Sequence, residues 1–219
     1  IDLIYGSPLL TDEMWQINVA KALDMGVPHL SCYALTVEEK TPLFKLISQN
    51  KKVNIDSDKQ ARQFLVLMDW LKEKGFEHYE VSNFAIPGFR SRHNSSYWKG
   101  DKYLGIGPSA HSFNGVERRW NVANNLLYAN APDSKREVEV LTRTQSLNEY
   151  IMISLRTMEG MDLSYINSIW GVDTGSMIGK KLVNYINSNL VKMNNNFVRL
   201  TNEGFLLADG IASDLFEVG

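Results

Sequence analysis

Apolar residues in the first third of the chain switch between strand-like runs and helical spacing. Ile1, Leu3, Ile4 and Tyr5 form a short run closed by Gly6-Ser7-Pro8, which predicts a strand followed by a turn. Thr11 then precedes Met14, Trp15, Ile17, Val19, Ala20 and Leu23, which predicts a helix capped by Thr11 and stopped at Gly26. Residues 29–37 predict a second strand, so strand, helix and strand argue for a parallel pair. Thr41-Pro42 opens a short helix to about Asn50. Asp56 or Ser57 caps a long helix through Lys74, closed by Gly75, with Phe64, Leu65, Leu67, Met68 and Leu71 at helical spacing. Residues 76–82 predict a third strand. Three strands with two helical crossovers point to an α/β fold, the later part of a β/α barrel or an open sheet.

After Ala85 the texture changes. Residues 86–121 carry Gly, Ser, Asn, Arg and aromatics without helical period, which predicts a long irregular, functional segment. Residues 146–158, 162–170 and 176–190 return to helical spacing. Val191–Met193 and Phe197–Leu200 flank Asn194-Asn195-Asn196 as a hairpin, and Thr201 caps a last helix to about Phe216. This second part reads as a small, mainly helical domain with a winged-helix-like hairpin, so the expected domains are 1–135 and 136–219.

A net charge of -2 gives neither a basic footprint for nucleic acid nor a polybasic membrane anchor. No apolar run approaches the roughly 20 residues of a transmembrane helix. The single cysteine, Cys32, forms no internal disulfide, which suits a reducing cytoplasm, and cannot by itself hold an iron–sulfur cluster. The opening Ile1-Asp2-Leu3-Ile4-Tyr5, without Met, reads as a chain entered in mid-core, and a missing first part is expected.

Three stretches together resemble one family. They are Asp2-Leu3-Ile4-Tyr5-Gly6-Ser7-Pro8; Ser31-Cys32-Tyr33-Ala34-Leu35-Thr36-Val37-Glu38 with Thr41-Pro42-Leu43; and Tyr79-Glu80-Val81-Ser82-Asn83-Phe84-Ala85 continuing through His93-Asn94-Ser95-Ser96-Tyr97-Trp98 to Tyr103-Leu104-Gly105-Ile106-Gly107-Pro108-Ser109-Ala110-His111. They are similar to the radical S-adenosylmethionine coproporphyrinogen-oxidase-like family. The HNxxYW and YLGxGxxAH stretches are nearer its heme-chaperone branch, and the ending from Leu200 to Leu215 is also family-like. Ser7 and Leu9 stand where the family usually has Leu and Gly. The resemblance implies a partial TIM-type barrel, S-adenosylmethionine and a 4Fe-4S cluster in the full-length protein, the cluster held by a CxxxCxxC motif absent from this chain. The chain alone is therefore expected to be inactive and to hold no cofactor tightly.

The resemblance places Asp2, Ile4 and Ala34 around S-adenosylmethionine. Asp2 would pair with the cofactor's amino group or ribose hydroxyls, although a carboxylate at an exposed strand start is the plainer reading. Ile4 and Ala34 would flank the adenine, or simply pack the core. His93, Tyr97 and Trp98 would hold heme, since histidine is a common axial ligand and aromatics stack on porphyrins; otherwise they anchor a loop. Arg90 and Arg92 are candidates for the propionates. His111 follows Gly105 and Gly107 and reads as either a ligand contact or a structural residue. His29 and His78 receive no role, and Cys32 reads as a buried hydrophobe. The leading expectation is heme binding and transfer to an acceptor protein. The alternative is oxygen-independent oxidative decarboxylation of coproporphyrinogen III. A winged-helix nucleic-acid module is opposed by Glu203, Asp209 and Asp214 on its last helix.

Overall fold

A computed structural model describes residues 1–49, 54–131 and 136–218, and the chain divides into two compact units, Ile1–Ser91 and Arg92–Gly219. In the first unit, β1 (Asp2–Tyr5), α1 (Asp12–Asp24) and β2 (His29–Ala34) form the expected parallel βαβ unit. Thr11 caps α1 by accepting from the Met14 amide, and Gly26 takes a left-handed conformation (φ 69°) past its end. β2 ends at Ala34, three residues before the expected Val37. α2 (Pro42–Gln49) follows; its expected end at Asn50 lies outside the described residues. α3 (Ser57–Glu73) is capped by Asp56, which accepts from the Lys59 amide.

The third expected strand is present but shorter than 76–82, and it pairs antiparallel rather than extending a parallel sheet. Residues 77–85 fold as a hairpin, β3 (Glu77–Glu80) and β4 (Asn83–Ala85), around a turn at Val81-Ser82. β4 inserts between β2 and β3 and runs antiparallel to both, so the sheet order is β1-β2-β4-β3. A shift of register between His78 and Glu80 bends β3 into this arrangement.

One sheet face packs against α1 and α3. Tyr5 lies 5.8 Å from the rings of both Trp15 and Phe64. Leu30, Cys32, Leu67, Met68, Leu71 and Phe84 complete this core. The apolar spacing in α1 overstated its buried face: Trp15, Val19 and Ala22 are buried, whereas Met14 and Ile17 are exposed.

In the second unit the segment expected to be irregular is ordered. It holds α4 (Arg92–Trp98), β5 (His111–Phe113) and β6 (Glu117–Trp120), and α5 (Asn125–Asn130) follows it. With β7 (Glu137–Val140), the strands form an antiparallel sheet in order β5-β6-β7. Gly105 permits this closure, because a Cβ there would lie 2.1 Å from the His111 carbonyl oxygen. The domain boundary expected at 135/136 falls against residues 132–135, which lie outside the described residues.

The rest is α6 (Arg143–Leu155), β8 (Met161–Asp162), α7 (Leu163–Trp170), α8 (Val172–Asn187), β9 (Val191–Asn194), β10 (Phe197–Leu200), α9 (Asn202–Phe205) and α10 (Ala208–Leu215). The β9–β10 turn has Asn195 and Asn196 at φ 49° and 68°, the paired left-handed residues of a tight hairpin. β8 adds a third strand beside β10. The single last helix expected after Thr201 is broken between Phe205 and Ala208.

Candidate functional site

The pairing of β1 with β2 sorts the candidate residues by face. Asp2 lies opposite Ser31, Ile4 opposite Tyr33, and Tyr5 opposite Ala34. Side chains alternate along a strand. Tyr5 and Cys32 point to α1 and α3, so Asp2, Ile4, Ser31 and Tyr33 line the other face. Ile4 and Tyr33 are 57% and 42% exposed there. The sheet thus brings Asp2 and Ile4 together and adds Tyr33, which the sequence reading passed over. Ala34 is in register with Tyr5 at the carboxyl end of β2, on the opposite alternation.

The loops leaving these strands are held by the polar side of α3. Gln63 is fully buried; its Oε1 accepts from the Gly6 amide (2.9 Å) and its Nε2 donates to Asp12 Oδ1 (2.9 Å). Gln60 Nε2 donates to the Leu35 carbonyl (2.9 Å), and Lys59 Nζ donates to the carbonyls of Ser7 (2.8 Å) and Pro8 (3.3 Å). Gly6 sits at φ 75° against Gln60, where a Cβ would come within 2.2 Å of Gln60 Cγ. Lys59, Gln60 and Gln63 form the polar side of α3, and nothing in the sequence signals which backbone groups they hold.

Electrostatics follow burial and pairing. The hydrogen bonds from Arg62 and Gln63 hold the Asp12 carboxyl below its ordinary range. Burial pushes the Cys32 thiol up to about 12. Desolvation pulls His78, packed 4.3 Å from the Phe84 ring and 5.7 Å from that of Phe64, down to about 4. Burial also lowers His29, whose Nε2 is 2.8 Å from the Tyr79 hydroxyl.

In the second unit, His93, Tyr97 and Trp98 lie on α4 rather than on the loop that their plainer reading implied. His93 and Tyr97, four residues apart, share a helix face, their rings 5.0 Å apart edge to face. Tyr97 meets Tyr103 at 5.0 Å, which ties that face to the following segment. His93 is exposed, and its imidazole makes no hydrogen bond among the described residues. Trp98 is turned to another side of the helix, where the Arg156 guanidinium lies 5.9 Å from its ring. His111 stacks on Trp120 at 5.7 Å, beside a cavity of about 550 Å³ also lined by Asn121 and Arg136. Among the described residues, no group of three His, Cys, Asp or Glu side chains is placed to hold a metal ion, and no helix is long and apolar enough to cross a membrane.

No family model matches the chain. Curated relatives do. The chain is 30% identical to the heme chaperone HemW of Lactococcus lactis over 213 residues, 96% of this chain and 56% of that protein. It is 32% identical to the heme chaperone HemW of Mycobacterium tuberculosis over 219 residues, 98% of this chain and 54% of that one. It is 41% identical over 111 residues to the mouse mitochondrial radical S-adenosyl methionine domain-containing protein 1, 51% of this chain and 25% of that one. The chain therefore spans little more than half the length of the HemW relatives it matches. Among solved structures, coproporphyrinogen III oxidase (HemN) from Escherichia coli, a radical SAM enzyme, superposes with a TM-score of 0.73 at 19% identity, covering 99% of this chain and 54% of that one. That likeness establishes the fold. By sequence over nearly its whole length and by fold, this chain is a relative of the heme-chaperone branch of the radical S-adenosylmethionine coproporphyrinogen-oxidase-like family.

Proposed function

We propose that this protein binds heme through His93 and passes it to an acceptor protein. The observation that carries the reading is an exposed imidazole without a hydrogen-bond partner among the described residues, braced by Tyr97 on the same face of α4. Such a nitrogen is available to a heme iron, and Tyr97 offers an aromatic surface beside the porphyrin. The names of the HemW relatives support this reading. The fold likeness to an oxidase supports the fold alone, so oxidation of coproporphyrinogen is the secondary reading.

S-adenosylmethionine has its proposed place on the sheet face of Asp2 and Ile4, with Ala34 at the adjoining strand end. An exposed carboxylate and exposed apolar side chains fit the donors and the ring of that cofactor. When bound to a reduced cluster, it supplies radical chemistry. Here Asp2 would orient it and Ile4 would cover it. A 4Fe-4S cluster does not fit the residues present, because it needs several thiolates and the one cysteine is buried.

Hemin titration of the full-length protein, followed at the Soret band, tests the leading reading. A saturable shift that His93→Ala abolishes is expected. An unchanged titration in that variant would remove His93 as the ligand and return α4 to a structural role.

A further inference from the structure

A row of polar side chains crosses the first sheet from edge to edge. Asp2 pairs with Ser31, Ser31 with Asn83, and Asn83 with Glu80, so one residue from each of the four strands stands in line. All four occupy the face turned away from α1 and α3, the face that also carries Ile4 and Tyr33. Asp2 is exposed at one end, while Ser31, Asn83 and Glu80 are buried. Asn83 is only 4% exposed, and its Oδ1 has no hydrogen-bond partner among the described residues. Its amide orientation is fixed from the other side: Nδ2 donates to Glu80 Oε1, and a carboxylate accepts there. Glu80 Oε2 in turn accepts from the Ser82 amide. A buried acceptor left empty costs free energy unless something donates to it.

We propose that Asn83 is a ligand-binding residue whose Oδ1 accepts a hydrogen bond from an N–H or ammonium group of a small molecule lying along this row. The chemistry selects a donor: the site offers the amide oxygen, with the Glu80 carboxylate behind it and the Asp2 carboxylate about 10 Å away across two strand spacings. Two ligands carry such donors: the amino group of S-adenosylmethionine and, for the secondary reading, the pyrrole N–H of a metal-free tetrapyrrole. Heme itself, with its nitrogens on iron, does not. The inference rests on the reading of Asp2 as part of the S-adenosylmethionine site.

The test is equilibrium binding of S-adenosylmethionine and, separately, of metal-free coproporphyrin III to the full-length protein and to Asn83→Ala. At least a tenfold loss of affinity for one of the two is expected, with the other unchanged, and the ligand affected identifies the donor. The double variant Glu80→Gln with Asn83→Asp exchanges amide and carboxylate. It keeps the internal hydrogen bond and puts a carboxylate, a stronger acceptor than the amide, at position 83, so binding of the affected ligand tightens severalfold. Should Asn83→Ala fail to fold, the exchange variant decides alone: severalfold tighter binding of the ammonium ligand supports the proposal, and unchanged affinity for both ligands overturns it. Wild-type affinity for both ligands in Asn83→Ala leaves Oδ1 to an ordered water and overturns the proposal while the S-adenosylmethionine reading stands. Absence of S-adenosylmethionine binding by the wild type overturns that reading and the proposal with it.

Discussion

Burial sets the chemistry of single side chains in the first unit. Cys32 is 1% exposed and its thiol is raised to about 12, so it stays protonated at neutral pH. A thiol reagent at pH 7.5 is expected to label it only after denaturation; stoichiometric labelling of the native protein would contradict this. His78 is held neutral by desolvation, with its folded value near 4 against an ordinary 6.5. The unfolded chain therefore binds the extra proton between those values. Stability is fully present above about pH 6.5 and declines as pH falls toward 4, by up to about 3 kcal/mol. Denaturant melts at pH 7 and pH 4.5 measure this, and a His78→Phe variant should lose part of the difference. By contrast His93 is exposed, so His93→Ala is expected to leave the melting temperature within experimental error while altering hemin binding.

At the scale of elements, α3 does two jobs with two stripes. Phe64, Leu67, Met68 and Leu71 bury against the sheet, while Lys59, Gln60 and Gln63 hold the loops after β1 and β2. Gln63→Leu keeps the volume but strands the Gly6 amide and frees the 6–12 loop, at a cost of about 1–3 kcal/mol for the buried donor. Hydrogen exchange should quicken first in that loop; uniform protection would argue against the anchoring role. The β9–β10 hairpin depends on left-handed Asn195 and Asn196. Asn196→Val should destabilise by about 1–2 kcal/mol, read in a urea melt, because a β-branched residue resists that conformation. Element ends marked by caps were legible: Thr11, Asp56 and Thr201 each cap as their position in the sequence implies. The β3–β4 reversal was not, since Val81-Ser82 lacks the Gly or Asn that usually announces a tight turn.

For the whole chain, the two units carry the two proposed ligands on separate elements, S-adenosylmethionine on the first sheet and heme on α4. Asp2 and Ile4 were legible as candidates only through family resemblance; alternation along β1 puts them on one face, and register with β2 sets Ser31 and Tyr33 beside them. Tyr33 and Asn83 stayed hidden because nothing in a local run of residues says which strands will be neighbours. With a net charge of -2 and acidic residues on the last helix, random duplex DNA should not be retarded at physiological salt. Retardation there would revive a nucleic-acid role.

The sequence by itself determined the alternation of strand and helix, the caps, the Asn-rich hairpin and the family, because each rests on residues near one another along the chain. The tertiary structure decided what depends on distant partners. It placed β4 between β2 and β3, ordered residues 92–120 into a helix and strands, and gave α3 its anchoring side. It also set Asp2, Ser31, Asn83 and Glu80 in one line, since register between strands is fixed by long-range pairing and packing rather than by local spacing.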